Sequence, residues 1–244
     1  MDGKFFTSQW GNSTSDIDVR TLLHGYRLVS WDREFGMFRE NSSVVNGILI
    51  TENEDDDTRD YLLSLYSDLY FSDETPITAW DYAFSVLFQS NPIVKELDGV
   101  PLNAEYLLGY EDYVGGRTPY LAGVRVLSDT MIEFRVKRES LPFFFEFFRF
   151  AYEPYPIREI APGCRVYDDG LGCYIDNEDQ TSPVKVFSKE LLEKTVMDPK
   201  AGYMSHPAVV SGPYVMTGWD GETCIFVFFH SFVQLFQNFN LTFN

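Results

Sequence analysis

Histidines, cysteines and carboxylates are the residues of this 244-residue chain that could do chemistry, and their spacing argues against catalysis. His24, His206 and His230 are scattered, and none has a partner at a metal-ligand or acid–base spacing. There is no Gly-x-Ser-x-Gly, no His-Glu-x-x-His, no Cys/His nucleophile signature and no glycine-rich phosphate loop. Carboxylates abound, but a sequence cannot set two of them across a cleft at the separation glycoside hydrolysis needs. The run from Glu52 to Asp57 offers oxygens at alternate positions, as a calcium loop does, yet lacks that loop's turn glycine and distal glutamate. It reads as a solvated hairpin tip. Cys164 and Cys173 share the loop PGCRVYDDGLGC. They could form a disulfide in an oxidising compartment, or stay thiols otherwise; their spacing is not one that zinc ligands use. The expectation is a protein that is not an enzyme, with no metal and no cofactor.

Composition narrows the partners. Hydrophobic residues are 45% and aromatics 17% of the chain, enough for a packed core in one large or two small domains. A formal net charge of −18 lacks the basic footprint nucleic acid requires, and it disfavours an anionic membrane surface. The N-terminal MDGKFFTSQW has no apolar export segment, and no run of about 20 apolar residues follows. An exported form would have lost its targeting sequence before Met1.

The elements that would position a site centre on residues 71–92, FSDETPITAWDYAFSVLFQSNP. Tyr61, Leu63 and Leu65 alternate before it, as in a half-buried strand. Ser72 to Pro76 is a turn. Thr78 and Asp81 are spaced for a capping box, and Ile77 and Tyr82 for the flanking staple. Trp80, Phe84 and Leu87 fall on one face of an amphipathic helix that Asn91-Pro92 ends. A first strand is expected over 4–10, then a helix capped by Ser15 or Asp16. Strands are expected over 26–31 and 44–51, short helices over 104–108 and 109–116, and a hairpin over 122–137 turned by Ser128-Asp129-Thr130. The phenylalanines of 140–156 predict a helix buried on most sides. Residues 164–187 read as loop, 188–196 as a helix capped by Ser188, and 209–229 as a hairpin turned at Asp220-Gly221.

Two of these stretches resemble a known family. The run 61–85, with its Leu-Tyr-Phe-Ser-Asp-Glu-Thr-Pro-Ile-Thr-Ala-Trp-Asp core, resembles the signature region of the family 5, peptide-binding solute-binding proteins of ABC transporters. Glu74 stands where that family has glycine. About 130 residues later, Ser211-Gly212-Pro213-Tyr214 with Trp219-Asp220-Gly221 resembles the family's Gly-Pro-Tyr strand and turn. The resemblance covers 5–228, about half of a typical member. It implies a mixed α/β fold, the first lobe of a two-lobed periplasmic-binding-protein architecture. It also implies a single lobe over 1–244 with a β-rich subdomain at about 30–190, and no counterpart of the second lobe. The polar loop beside the ligand cleft makes Trp10, Asn12, Ser13 and Asp16 the candidate ligand contacts. Thr78, Asp81, Gly212, Pro213 and Tyr214 are the structural motif residues.

The function the resemblance implies is capture of a peptide or other small solute outside the cell for ABC permease subunits in the membrane. Such a protein is extracellular or periplasmic, anchored in its precursor as a lipoprotein. The family's acidic partner for a peptide amino terminus lies in the second lobe, so weak peptide binding is expected of this chain alone. A second reading is a secreted or surface interaction module. It rests on the aromatic, uncharged end of the chain, with self-association through 225–244.

Overall fold

The computed structural model describes residues 1–229. In chain order, after a short 3-10 turn at Ser8–Trp10, come α1 (Thr14–Leu23), β1 (Val29–Asp32), β2 (Met37–Glu40), β3 (Val45–Asn53), β4 (Thr58–Leu65), α2 (Ala79–Ser90), α3 (Ile93–Glu96) and α4 (Tyr110–Val114). There follow β5 (Val124–Ser128), β6 (Met131–Lys137), a 3-10 turn at Glu146–Phe150, α5 (Ile157–Ile160), β7 (Cys164–Asp168), β8 (Cys173–Asn177), α6 (Lys189–Thr195), β9 (Tyr214–Trp219) and β10 (Cys224–Phe228). This is a mixed α/β architecture. No helix among the described residues is long and apolar enough to cross a membrane.

The central sheet is antiparallel, in the order β3-β4-β6-β5. Alternation sets its faces: Tyr61, Leu63 and Leu65 of β4 and Ile132, Phe134 and Val136 of β6 are all buried, and Tyr61 pairs with Phe134 across the ladder. Hairpins β1–β2, β7–β8 and β9–β10 form separate two-stranded sheets. At the β3–β4 tip Asp57 adopts φ 51°, in the left-handed region that favours glycine. Glu74 likewise holds φ 65° in the turn after β4, a left-handed geometry that costs a side-chain-bearing residue about 1 kcal/mol.

Helix α2 is the middle of the core. Its N-terminus carries the capping box: the Asp81 carboxylate accepts from the Thr78 N–H at 2.8 Å and hydroxyl at 2.9 Å. The helix is not amphipathic, as its one-face pattern suggests. Every residue from Tyr82 to Ser90 is buried, Gln89 and Ser90 included, because β5, β6, β7, β8 and α4 all pack around it. Trp80 lies at the margin and donates from Nε1 to Asp129. Tyr82 donates to the Tyr26 carbonyl at 2.7 Å, tying α2 to the approach to β1.

Several expectations are corrected. Residues 4–7 are an extended segment outside any sheet, meeting the chain again through Phe5 N–H to the Met204 carbonyl at 2.9 Å. Ser13, not Ser15 or Asp16, caps α1. Residues 104–108 form a turn that bridges Leu107 to Val136, since β6 beyond Phe134 has no β5 partner: Leu108 N–H donates to the Arg135 carbonyl and Lys137 N–H to the Tyr106 carbonyl. The 140–156 stretch is no buried helix: Ser140 ends a 3-10 turn (Arg138–Ser140), Glu146–Phe150 winds into another, Phe144 is 85% exposed, and Phe143, Phe145 and Phe148 also face outward. The expected loop after Gly163 is the β7–β8 hairpin. Its register sets Cys164 opposite Asn177 and Cys173 opposite Asp168. The two cysteines therefore sit at opposite ends of a strand pair, about 13 Å apart along it, and both are free thiols.

The β9–β10 hairpin closes a second apolar cluster of Phe5, Val19, Leu23 and Val210. Gly212 is its tightest joint. Its N–H donates to the Leu23 carbonyl at 2.7 Å, and a Cβ there would stand 2.4 Å from the Leu22 oxygen. Pro213 accepts from Phe229 N–H at 2.8 Å, and the Tyr214 ring meets Phe228 edge-on at 5.4 Å. Gly212→Ala is expected to cost about 3 kcal/mol or more by forced separation of α1 from β9, read as a lowered urea midpoint.

Burial pushes the Asp81 carboxyl up to about 6, against the lowering effect of its two Thr78 hydrogen bonds. A carboxyl raised in the folded state holds its proton more tightly there than in the unfolded chain. Its stabilising contribution is thus present below the unfolded value and lost as pH rises through about 6. Asp81→Asn keeps an acceptor for the Thr78 N–H and has no proton to lose. Relative to wild type, its melting temperature should gain between pH 4 and pH 7; an unchanged difference across that range contradicts this account.

Candidate functional site

An open cleft of about 940 Å³ lies between α1, the end of α2, residues 102–106 and the segment 140–155. Its floor comes from the chain's first residues. Phe6 is fully buried against Tyr155, Phe88 and Tyr203, which holds Thr7 and Ser8 at the cleft wall. Arg20, one turn beyond Asp16 on α1, reaches back to this segment. Its Nη1 donates to the Lys4 carbonyl at 2.7 Å and the Gly11 carbonyl at 3.2 Å, and its Nη2 to the Asn12 side-chain oxygen. A guanidinium so engaged fixes the loop.

The four loop candidates therefore separate. Asn12 is exposed and lines the cleft. Ser13 spends its hydroxyl as the α1 cap, accepting from Asp16 N–H. Asp16 is fully buried and accepts from the Asp2 N–H at 3.0 Å. Trp10 points away: its Nε1 donates to the Leu97 carbonyl at 2.7 Å, and its indole packs over Gly99. His24 is closed off as well. Its Nε2 donates to the Phe5 carbonyl at 3.0 Å, and burial pushes the imidazole pKa down, so it is a neutral core residue.

The opposite wall is one that sequence reasoning missed. Tyr106 donates to the Arg149 carbonyl at 2.6 Å and shares a hydroxyl–hydroxyl contact with Tyr152. Burial holds both phenols far above their ordinary pKa, so they act as neutral hydrogen-bonding groups. Arg149 lies over the rings of Phe143 at 4.3 Å and Tyr106 at 4.8 Å. Arg27 pairs with Glu153 at 2.5 Å, and Glu105 is exposed at the rim. The signal for this wall was a lone cation set in a run of phenylalanines, which reads equally well as core. Among the described residues no group of His, Cys, Asp and Glu is placed to hold a metal ion. A wall of aromatic rings, neutral hydroxyls and half-buried arginines is suited to non-covalent binding of a polar, partly apolar solute.

No protein with a curated description matches the chain by sequence. Solved structures do match its fold. Lactococcal OppA complexed with an endogenous peptide in the closed conformation superposes with a TM-score of 0.61 at 15% identity, over 94% of this chain and 36% of that one. Listeria monocytogenes OppA bound to peptide gives 0.60 at 18% identity, over 91% and 36%. The Escherichia coli murein tripeptide binding protein MppA gives 0.56 at 15% identity, over 94% and 36%. The chain thus spans about a third of the length of these structures, and at such identities the likeness is one of fold. The family described as bacterial extracellular solute-binding proteins, family 5 Middle, matches residues 44–233. That match takes in both the turn and helix around Asp81 and the Gly-Pro-Tyr strand, and by it the chain belongs to the family 5 extracellular solute-binding proteins.

Proposed function

We propose that the chain is the first lobe of a peptide-capturing component of an ABC importer, acting outside the cell and handing its cargo to permease subunits in the membrane. The single observation that carries this reading is the open cleft of about 940 Å³ on a family 5 scaffold. Its wall offers aromatic rings and hydroxyls rather than a deep pocket of one shape, which suits an extended peptide of varied sequence. In this reading 1–244 is one lobe, β1 to β8 form its β-rich part, and the ligand is closed over by hinge motion of a second lobe. Extracellular or periplasmic location and lipoprotein anchoring of the precursor belong to the same proposal.

One wall of a two-walled site binds weakly. Titration of the chain with an Ala-rich tetrapeptide should give a dissociation constant of about 1 mM or weaker, with NMR shifts confined to cleft residues; a tight one-to-one complex by calorimetry overturns the lobe reading. Asn103 is exposed and lines the cleft without entering the core. Asn103→Trp should fill the cleft and reduce peptide binding about tenfold, with the melting temperature unchanged.

The exposed rings favour a second reading, an interaction module. Trp31 (48%), Phe35 (59%) and Phe144 (85%) face solvent, with Trp31 packed edge-on to Phe38 and Phe38 against Phe145 and Phe148. The proposed self-association through 225–244 falls, from residue 230 onward, outside the described residues. Size-exclusion chromatography with light scattering separates the readings. A dimer that Phe144→Ser dissociates supports the module; a monomer in both forms supports the lobe.

A further inference from the structure

The cleft wall holds the charged side chains Arg20, Arg27, Glu105, Arg149 and Glu153. Arg20 is taken up by the carbonyls of the first loop, and Arg27 and Glu153 by each other. Arg149 is different. The one hydrogen bond its guanidinium makes among the described residues is from Nη1 to the Ser140 carbonyl at 3.2 Å, and it makes no ion pair there. The nearest acidic residue in sequence, Glu146, faces Arg59 at 3.5 Å instead. The rings of Phe143 and Tyr106 hold the guanidinium in place without neutralising it. Its remaining N–H donors are therefore preorganised and lack an anionic partner.

We propose that Arg149 is the carboxylate-recognising residue of this cleft, and that Phe143 and Phe148 hold an apolar side chain of the same ligand beside it. This rests on the peptide-binding reading and deepens it. A planar guanidinium can engage a carboxylate through two parallel bonds, and such charge-assisted bonds are strongest where water is partly excluded. The neighbouring rings are exposed, Phe143 by 41% and Phe148 by 54%, so they are available to an apolar group. The ligand class is thus a peptide with a carboxylate next to an aromatic or large aliphatic residue. The carboxylate can be the chain terminus or an acidic side chain.

The test is NMR on the full chain, following the Arg149 Nε–H and the cleft amides. Three probes are titrated: Ala-Ala-Phe-Ala as free acid, the same peptide as C-terminal amide, and Ala-Glu-Phe-Ala amide. The free acid should shift the Arg149 signal and bind about tenfold more tightly than its amide. A response to the Glu-containing amide alone supports the inference with a side-chain source. Arg149→Gln should erase the preference for carboxylate probes, and Arg149→Lys should restore part of it. Melting temperatures of both variants check that they are folded. Equal binding of all three probes, or an undiminished preference in Arg149→Gln, overturns the inference. Shifts at cleft residues that spare Arg149 overturn it and leave the peptide-binding reading in place. No shift at any cleft residue overturns both.

Discussion

Ser72 and Val210 exchange two hydrogen bonds, and much of the molecule depends on that joint. The Ser72 N–H donates to the Val210 carbonyl at 2.8 Å, and the Val210 N–H returns to the Ser72 hydroxyl at 3.0 Å. One residue further, Ser211 bonds both the N–H and the carbonyl of Gly25. The turn before α2, the end of α1 and the start of β9 are thereby held at one point. Gly212 follows with no room for a side chain, so α1 and β9 approach as closely as their backbones allow. The cleft wall built on α1 stands only because that approach is made.

Around the joint, burial is uneven in an informative way. α2 is enclosed on all sides and holds the central sheet together with Phe84, Leu87 and Phe88 fully buried. The hairpin β7–β8 is pinned to β5 by the Arg125–Asp168 pair at 2.8 Å, a half-buried bridge whose carboxylate also accepts from the Val126 N–H. The segment 143–148 is the reverse case. Its phenylalanines lie over β2 and the cleft mouth with their faces in solvent.

What was legible in the sequence was local. The Thr78–Asp81 capping box, the Ser188 cap and the turn at Asp220-Gly221 rest on contacts within a few residues, and the alternation along β4 and β6 is a local spacing of residue types. Glu74 stands where the resembling family has glycine, and its left-handed backbone gives the reason. Misreadings came where one composition fits two environments. Leu141 to Phe145 and then Phe147-Phe148 fit core and surface alike, because composition says nothing about which side faces water. Acidic residues around Cys164 and Cys173 passed for loop, since cross-strand pairing is set by register. Of the loop candidates, Asn12 reaches the cleft. The Ser13 hydroxyl caps α1, and the Asp16 carboxylate accepts from the Asp2 N–H.

The sequence by itself determined the family, the mixed α/β class, the caps and turns, and the lack of recognisable catalytic motifs. These are properties of residue type and short spacing. Only the tertiary structure decided that the two family motifs touch, that Trp10 turns away from the cleft, and that Arg149 stands over Tyr106 without an acidic partner. The physical reason is that a polar or charged side chain acquires its role from what satisfies it. For Arg20 that is a loop eight to sixteen residues away, and for Arg149 it is a ring forty-three positions back in the chain. No local pattern encodes such a meeting; it exists once the chain has closed on itself.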